Sequence, residues 1–197
     1  MKFEEIRILF MVATLGCALV AASPVLGLAL PEVGSERFSE LWLLGPNHMI
    51  DGYPSDVGEG EFHSVFLGVE NHMGGSEYYR VCVKLGNSSG LLPDIDGGVP
   101  SSLPAVYEYR FFVGDGGVWE TTVAFGFEDV VIEDNVLVVS DFTIGGTHFP
   151  VDVSMVWDNE DRGYFLVLFF ELWRYDSEYD GFRFDGRFVG LQLNMMA

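Results

Sequence analysis

From residue 32 to the C-terminus the chain runs in short stretches of alternating polarity, rich in Val, Phe, Tyr and Trp and broken by Gly, Pro, Asn and Asp. A repeat of two places successive side chains on opposite faces of an extended strand, and no stretch repeats every three to four residues as an amphipathic helix would. The clearest case sets Tyr79, Val81, Val83 and Leu85 on one face and Tyr78, Arg80, Cys82 and Lys84 on the other. One side should be buried and the other solvated or partly covered. Candidate strands are 38–44, 61–69, 77–85, 105–113, 118–125, 136–142, 148–157, 164–173 and 182–193. Short strands joined by turn-rich connections suit an all-β fold with two packed sheets. The nearly continuous apolar run 163–172 reads as a central strand, and Asp180-Gly181 between two aromatic runs reads as a hairpin turn. Residues 92–104, with three prolines and Gly97-Gly98, read as a loop that crosses between sheets or wanders over the surface.

A different pattern precedes this domain. Residues 8–30 carry no charge, and as a helix at about 1.5 Å per residue such a run reaches roughly 34 Å, enough to cross a bilayer's hydrocarbon core. Lys2 and Arg7 come before it and the next basic residue is Arg37, so the stub stays cytoplasmic and the rest is exported. Its length favours a retained single-pass anchor over a cleaved signal, although Gly27 and Ala29 offer the small-residue pattern for a cut after Ala29. The expected organisation is a stub and transmembrane helix in residues 1–31 and an extracytoplasmic sandwich in 32–197, located at the cell membrane. Cys17 lies in the apolar run and Cys82 in a strand, so they do not pair, and the exported domain relies on its core.

The sequence holds 30 acidic and 10 basic side chains, a formal charge of -20. Setting aside Lys2, Glu4, Glu5 and Arg7 leaves 28 acidic and 8 basic residues in the exported part. Such a surface repels phosphate backbones, which excludes nucleic acid as a partner. It keeps the domain soluble in salty or acidic surroundings, or it recruits cations or a basic partner.

Three motifs invite a ligand. Asp176, Glu178, Asp180 and Gly181 copy the opening of a calcium loop, although its twelfth position, normally a bidentate glutamate, is Arg187. Asp94-Ile95-Asp96-Gly97 is a second, shorter acidic turn. Asn47-His48-Met49 and Asn71-His72-Met73, with His63, supply imidazole and thioether groups that suit copper if they converge, and otherwise serve as turn and core residues. His148 reads as a packed or hydrogen-bonded strand residue. Asn87-Ser88-Ser89 is a glycosylation sequon in a Gly-flanked turn. The serine-hydrolase elbow, the zinc-protease helix, the phosphate loop and the Cys-x-x-Cys pair are all absent. The expected role is therefore non-enzymatic: a structural module or one that binds an envelope protein or glycan, with a calcium-dependent adhesion or assembly module as the alternative and an extracytoplasmic enzyme third.

Phe38 to Pro46 (Phe-Ser-Glu-Leu-Trp-Leu-Leu-Gly-Pro), Gly52-Tyr53-Pro54 and Val69-Glu70-Asn71-His72 leading into Tyr79-Arg80-Val81 occur in this order. The order resembles the start of the extracytoplasmic module of an archaeal membrane-protein family known as domain of unknown function 1616. The apolar run 165–173, an acidic turn and residues 183–193 are similar to that family's terminal hairpin. Members commonly carry several membrane helices before the module, where this chain offers one. The resemblance implies an immunoglobulin-like sandwich facing outward in an archaeon, and it implies no activity. The matching residues also have physical reasons: Gly45-Pro46 and Tyr53-Pro54 punctuate a loop, and Asn71-His72 sits where a hairpin turns.

Overall fold

A computed structural model describes residue 7 and residues 11–14, 36–87 and 91–196. The chain divides into two units, Met1–Arg37 and Phe38–Ala197. In the first, residues 11–14 are helical and exposed. The rest of the apolar run, with Cys17, Ala29 and the proposed anchor, lies outside the described residues. No helix among the described residues is long and apolar enough to cross a membrane.

The second unit is all-β. Its ten strands are β1 (Phe38–Leu44), β2 (Asp56–Gly58), β3 (Phe62–His72), β4 (Glu77–Gly86), β5 (Tyr107–Val113), β6 (Val118–Glu133), β7 (Val136–Ile144), β8 (Thr147–Val156), β9 (Phe165–Asp176) and β10 (Gly181–Met196). They form two five-stranded sheets, β1-β3-β6-β7-β8 and β2-β10-β9-β4-β5, here called sheet A and sheet B. All neighbours are antiparallel except β2, which runs parallel to β10.

Alternation explains which side chains meet between the sheets. Val65, Leu67 and Val69 of β3, Val123 and Phe125 of β6, Val81 and Val83 of β4, and Leu168, Phe170 and Leu172 of β9 are fully buried in one cluster. Each such side chain taken from water contributes about 1.5–3 kcal/mol. The central position of β9 follows from its burial on both faces: Phe169 and Glu171 are as enclosed as their inward neighbours. Tight turns close the hairpins. Asp134 and Asn135 join β6 to β7 with both φ angles positive (49° and 68°), and Gly145 and Gly146 do the same between β7 and β8. These conformations suit Asp, Asn and Gly and match the strand twist.

Several boundaries differ from the sequence reading. β2 is too short to show a period, and beyond Phe127 β6 is mostly exposed, with Val130 alone packed against the core, so neither was legible as strand. The hairpin between β9 and β10 is present, but its left-handed residue is Asp180 (φ 50°) and Gly181 opens β10 instead. Asn71-His72 does not mark a hairpin: β3 and β4 lie in different sheets, so the chain changes layer there. Residues 92–104 do not cross between sheets, because β4 and β5 are neighbours in sheet B.

That loop instead folds over the outer face of sheet B, and a buried ion pair holds it. Lys84 Nζ lies 2.8 Å from Glu171 Oε2 and donates to the Ser101 carbonyl at 2.8 Å. The Ser101 N–H donates to Glu171 Oε1 at 2.7 Å and Trp173 Nε1 donates to Oε2 at 3.1 Å. The loop thus covers the polar end of β4, where Cys82 and Lys84 are nearly inaccessible. Burial pushes the Cys82 thiol up to about 11, consistent with an inert packing residue.

The layer change after β3 is pinned by Asn71, which is fully buried. Its Nδ2 donates to the carbonyls of Gly75 (2.7 Å) and Val113 (2.9 Å), and its Oδ1 accepts from the Met73 N–H (2.9 Å) and the Tyr79 hydroxyl (3.2 Å). Its backbone bonds to Gly116 and Gly117 in the turn between β5 and β6, which also changes layer.

Two stability changes follow. Asn71→Ala strands several buried donors and acceptors, so denaturant unfolding should show a loss of about 3 kcal/mol or more, against about 1 kcal/mol for Tyr79→Phe. A loss below about 1 kcal/mol for Asn71→Ala would contradict this role. Lys84→Met leaves the Glu171 carboxylate buried without its cation and should cost about 3–5 kcal/mol, part of it restored in Lys84→Met/Glu171→Gln.

Candidate functional site

The two sheets differ sharply in how their charges are balanced. Sheet B carries Arg80 and Lys84 on β4, Arg110 on β5, Arg174 on β9 and Arg183 and Arg187 on β10. Each lies within 4 Å of a carboxylate on the same sheet: Arg80 and Arg110 at Glu108, Lys84 at Glu171, Arg174 at Glu77 and Asp185, Arg183 at Asp176, Arg187 at Asp185. Sheet A has no lysine or arginine in any strand, yet it bears Glu40, Glu70, Glu120, Glu128, Asp129, Glu133, Asp141 and Asp152. Its ion pairs are made by histidine alone among the described residues.

The register of sheet A concentrates this charge. Glu40 on β1 stands directly opposite Glu70 on β3, and Glu128 on β6 directly opposite Asp141 on β7. Like charges facing each other across a ladder destabilise it unless something neutralises them. In both places a histidine comes close. His72 Nε2 is 3.0 Å from Glu70 Oε1 and 4.0 Å from Glu40 Oε1, and its ring stacks on Phe38 with centroids 4.7 Å apart. His148 Nδ1 is 3.0 Å from Asp141 Oδ1 and 3.7 Å from Glu128 Oε2, with the buried Thr143 hydroxyl 3.1 Å from the same nitrogen. The potential ligand atoms within each triad all lie within 4.8 Å of one another.

Between these clusters Trp42 lies flat against Gly68, where a Cβ would come within 2.2 Å of the indole. His48, in the loop after β1, stacks on Phe66 at 3.5 Å and meets Glu120 at 3.1 Å. His63 turns toward Phe125, its buried Nε2 3.7 Å from Glu61 and beyond hydrogen-bond reach of any partner. The three histidines of the copper reading thus sit with three separate sets of carboxylates, and they do not form one group of ligands.

The calcium-like turn is arranged differently from a metal loop. The Asp176 carboxylate accepts the Glu178 N–H at 2.9 Å and lies 3.4 Å from Arg183, and Asp180 accepts the Tyr175 hydroxyl. The Glu178 backbone bond and the guanidinium hold Asp176 below the usual carboxylate range. A cation here would have to displace Arg183. Asp94 likewise bonds the Gly97 N–H and pairs with Val99 in a closed turn. Asn87 is exposed, and its Nδ2 donates to the Ser154 carbonyl of β8 at 2.7 Å. Ser88 and Ser89 of the sequon lie outside the described residues.

No motif search finds the two triads, because their members lie on different strands and meet only through register. The signal that was available is negative: no Lys or Arg occurs between Arg37 and Arg80 or between Arg110 and Arg162.

The His148 hydrogen bond to Asp141 raises its pKa above the ordinary 6.5, with Glu128 adding to the effect. Stability from this pair is therefore fully present below pH 6.5 and is lost as pH rises through the elevated value. Imidazole NMR titration of the intact chain with chelator present should show His148 titrating above 6.5 and Asp141→Asn bringing it back down. A value at or below 6.5 in the unsubstituted chain would contradict the geometry.

Among solved structures the chain is similar to the CARDB domain of a Pyrococcus furiosus protein at 9% identity, covering 85% of this chain and 97% of that one with a TM-score of 0.40. It is similar to a PapD-like domain of human CEP192 at 9% identity, covering 86% and 90% with a TM-score of 0.31. Part of a Listeria innocua beta-glucosidase also matches, at 14% identity over 60% of this chain and 16% of the enzyme with a TM-score of 0.32. No curated protein matches the sequence. Residues 31–135 match the family described as domain of unknown function (DUF1616), from before β1 to the turn between β6 and β7, and the terminal hairpin lies beyond the match. With more than half of its length covered, this chain belongs to the DUF1616 family.

Proposed function

We propose that this chain is a non-catalytic module of an archaeal cell envelope. Residues 8–30 hold it in the cell membrane as a single span, and residues 32–197 form an immunoglobulin-like sandwich on the outer side that binds an envelope protein or glycan. The observation that carries the reading is the unbalanced face of sheet A, where opposed carboxylates have no fixed cation. A basic surface brought against that face would relieve the repulsion within it, and complementary charge favours both encounter and register. The glycan reading draws on the other sheet: Tyr78 stacks on Phe112 at 4.3 Å, Phe112 is 74% exposed, and Arg80 lies over both Trp173 and Phe182. Asn87, if glycosylated, would carry its sugar just beyond the end of β4.

Two measurements test this. Protease added to intact cells should cleave the C-terminal unit, and protection of that unit would contradict the orientation. In affinity capture of crosslinked protein from native membranes, replacing Glu40, Glu70, Glu128 and Asp141 by their amides should remove the main partner. An unchanged partner would contradict docking on sheet A, and loss with Phe112→Ala instead would favour the aromatic face of sheet B.

A further inference from the structure

We infer that sheet A binds two divalent ions of the zinc class, one at Glu40, Glu70 and His72 and one at Glu128, Asp141 and His148. The inference deepens the reading above by naming the cation that the acidic face takes.

Each triad offers one imidazole nitrogen and two carboxylates whose ligand atoms already lie within 4.8 Å of one another. An ion bound to all three would sit about 2.0–2.2 Å from each, so the donors would have to draw together from their present spacing. The donor set selects the ion. Imidazole with carboxylate suits zinc and its neighbours cobalt and nickel, whereas calcium takes six to eight oxygens and magnesium keeps most of its water.

The surrounding charge points the same way. In each triad two carboxylates are directly opposed across neighbouring strands. No strand of sheet A carries a Lys or Arg, and the sheet B cations already have carboxylate partners. A divalent ion cancels the paired charge of each triad. The arrangement also occurs twice, built from different strands and with different spacing, yet it converges on the same donors.

His72 is held in place by a neighbour that does not bind the ion, because Phe38 stacks on its ring. At His148 the ion would take the Nδ1 that the Thr143 hydroxyl meets, and so would replace that contact. A support such as Phe38 orients a ligand and reduces what it loses on binding. Three protein donors per ion leave positions open to water or to a group from a partner, so the ions would sit at the surface where docking occurs.

The test is a calorimetric titration of the full-length chain in mild detergent with zinc chloride. The expected result is two ions per chain, one with His72→Ala, one with His148→Ala and none with both. Glu40→Gln and Asp141→Asn, which keep the shape of the strands, should each weaken one site at least tenfold, and circular dichroism confirms that every variant is folded. Millimolar calcium should leave both sites occupied by zinc. The inference is overturned by an absence of zinc binding, by a stoichiometry that neither histidine substitution changes, or by equal competition from calcium, which would mark diffuse attraction to an acidic surface. Zinc-silent protein that still captures its partner through the four carboxylates would overturn the ion sites alone. Zinc binding with an unchanged partner would overturn the docking surface alone.

Discussion

One buried amide governs how the layers of this domain are joined. Asn71 receives and donates four side-chain hydrogen bonds and two more through its backbone, and between them they touch the turn that leaves β3 and the turn that enters β6. Both turns carry the chain from one sheet to the other. Backbone groups exposed by a layer change must find partners, because leaving them unpaired in an apolar interior is costly. Asn71 supplies donor and acceptor together from one side chain, and Tyr79 with Ser39 extends the network between β4 of one sheet and β1 of the other. The packing of the sheets, and with it the register that sets side chains opposite each other, rests on this point.

Register in turn decides where charge gathers. Sheet B neutralises itself, and its most buried pair, Lys84 with Glu171, also fastens the long loop between β4 and β5. Sheet A leaves its carboxylates to histidine. Exposed charges are attenuated by salt within about 10 Å, so distant acids on sheet A matter little to one another. Opposed pairs in contact are a different matter, since ions between them are excluded unless they bind. This makes the two cross-strand acid pairs the places where the negative charge of the chain has a local structural consequence, and the places where a cation gains most.

Much of the fold was legible in the sequence, and the site was not. Alternation located strands wherever one face is buried, as in β4, and it failed where most positions are exposed, as beyond Phe127 in β6. The aromatic run of β9 announced a central strand because a strand covered on both faces needs apolar residues at every position. Turn composition placed the hairpin near Asp180 but could not say whether a connection stays in its sheet: the loop before β5 returns to the same layer, while the four residues after β3 cross. His72 and Glu40 are 32 positions apart and are joined only by pairing. The acidic turn at Asp176 looks like a metal loop in the sequence because its donors are close together, yet its carboxylates hold Arg183, a backbone N–H and Tyr175. Local spacing reports turns, and it misses a constellation assembled across a sheet.

The account stands on the claim that added cations settle on sheet A at its opposed carboxylates and not over the acidic surface as a whole. Amide spectra of the isotope-labelled intact chain, recorded with substoichiometric cobalt(II) as a paramagnetic stand-in for zinc, test it most directly. Line broadening should centre on Glu40, Glu70 and His72 and on Glu128, Asp141 and His148, with the strands of sheet B unaffected. Broadening centred on the turn after Asp176, or spread evenly over both sheets, would contradict it.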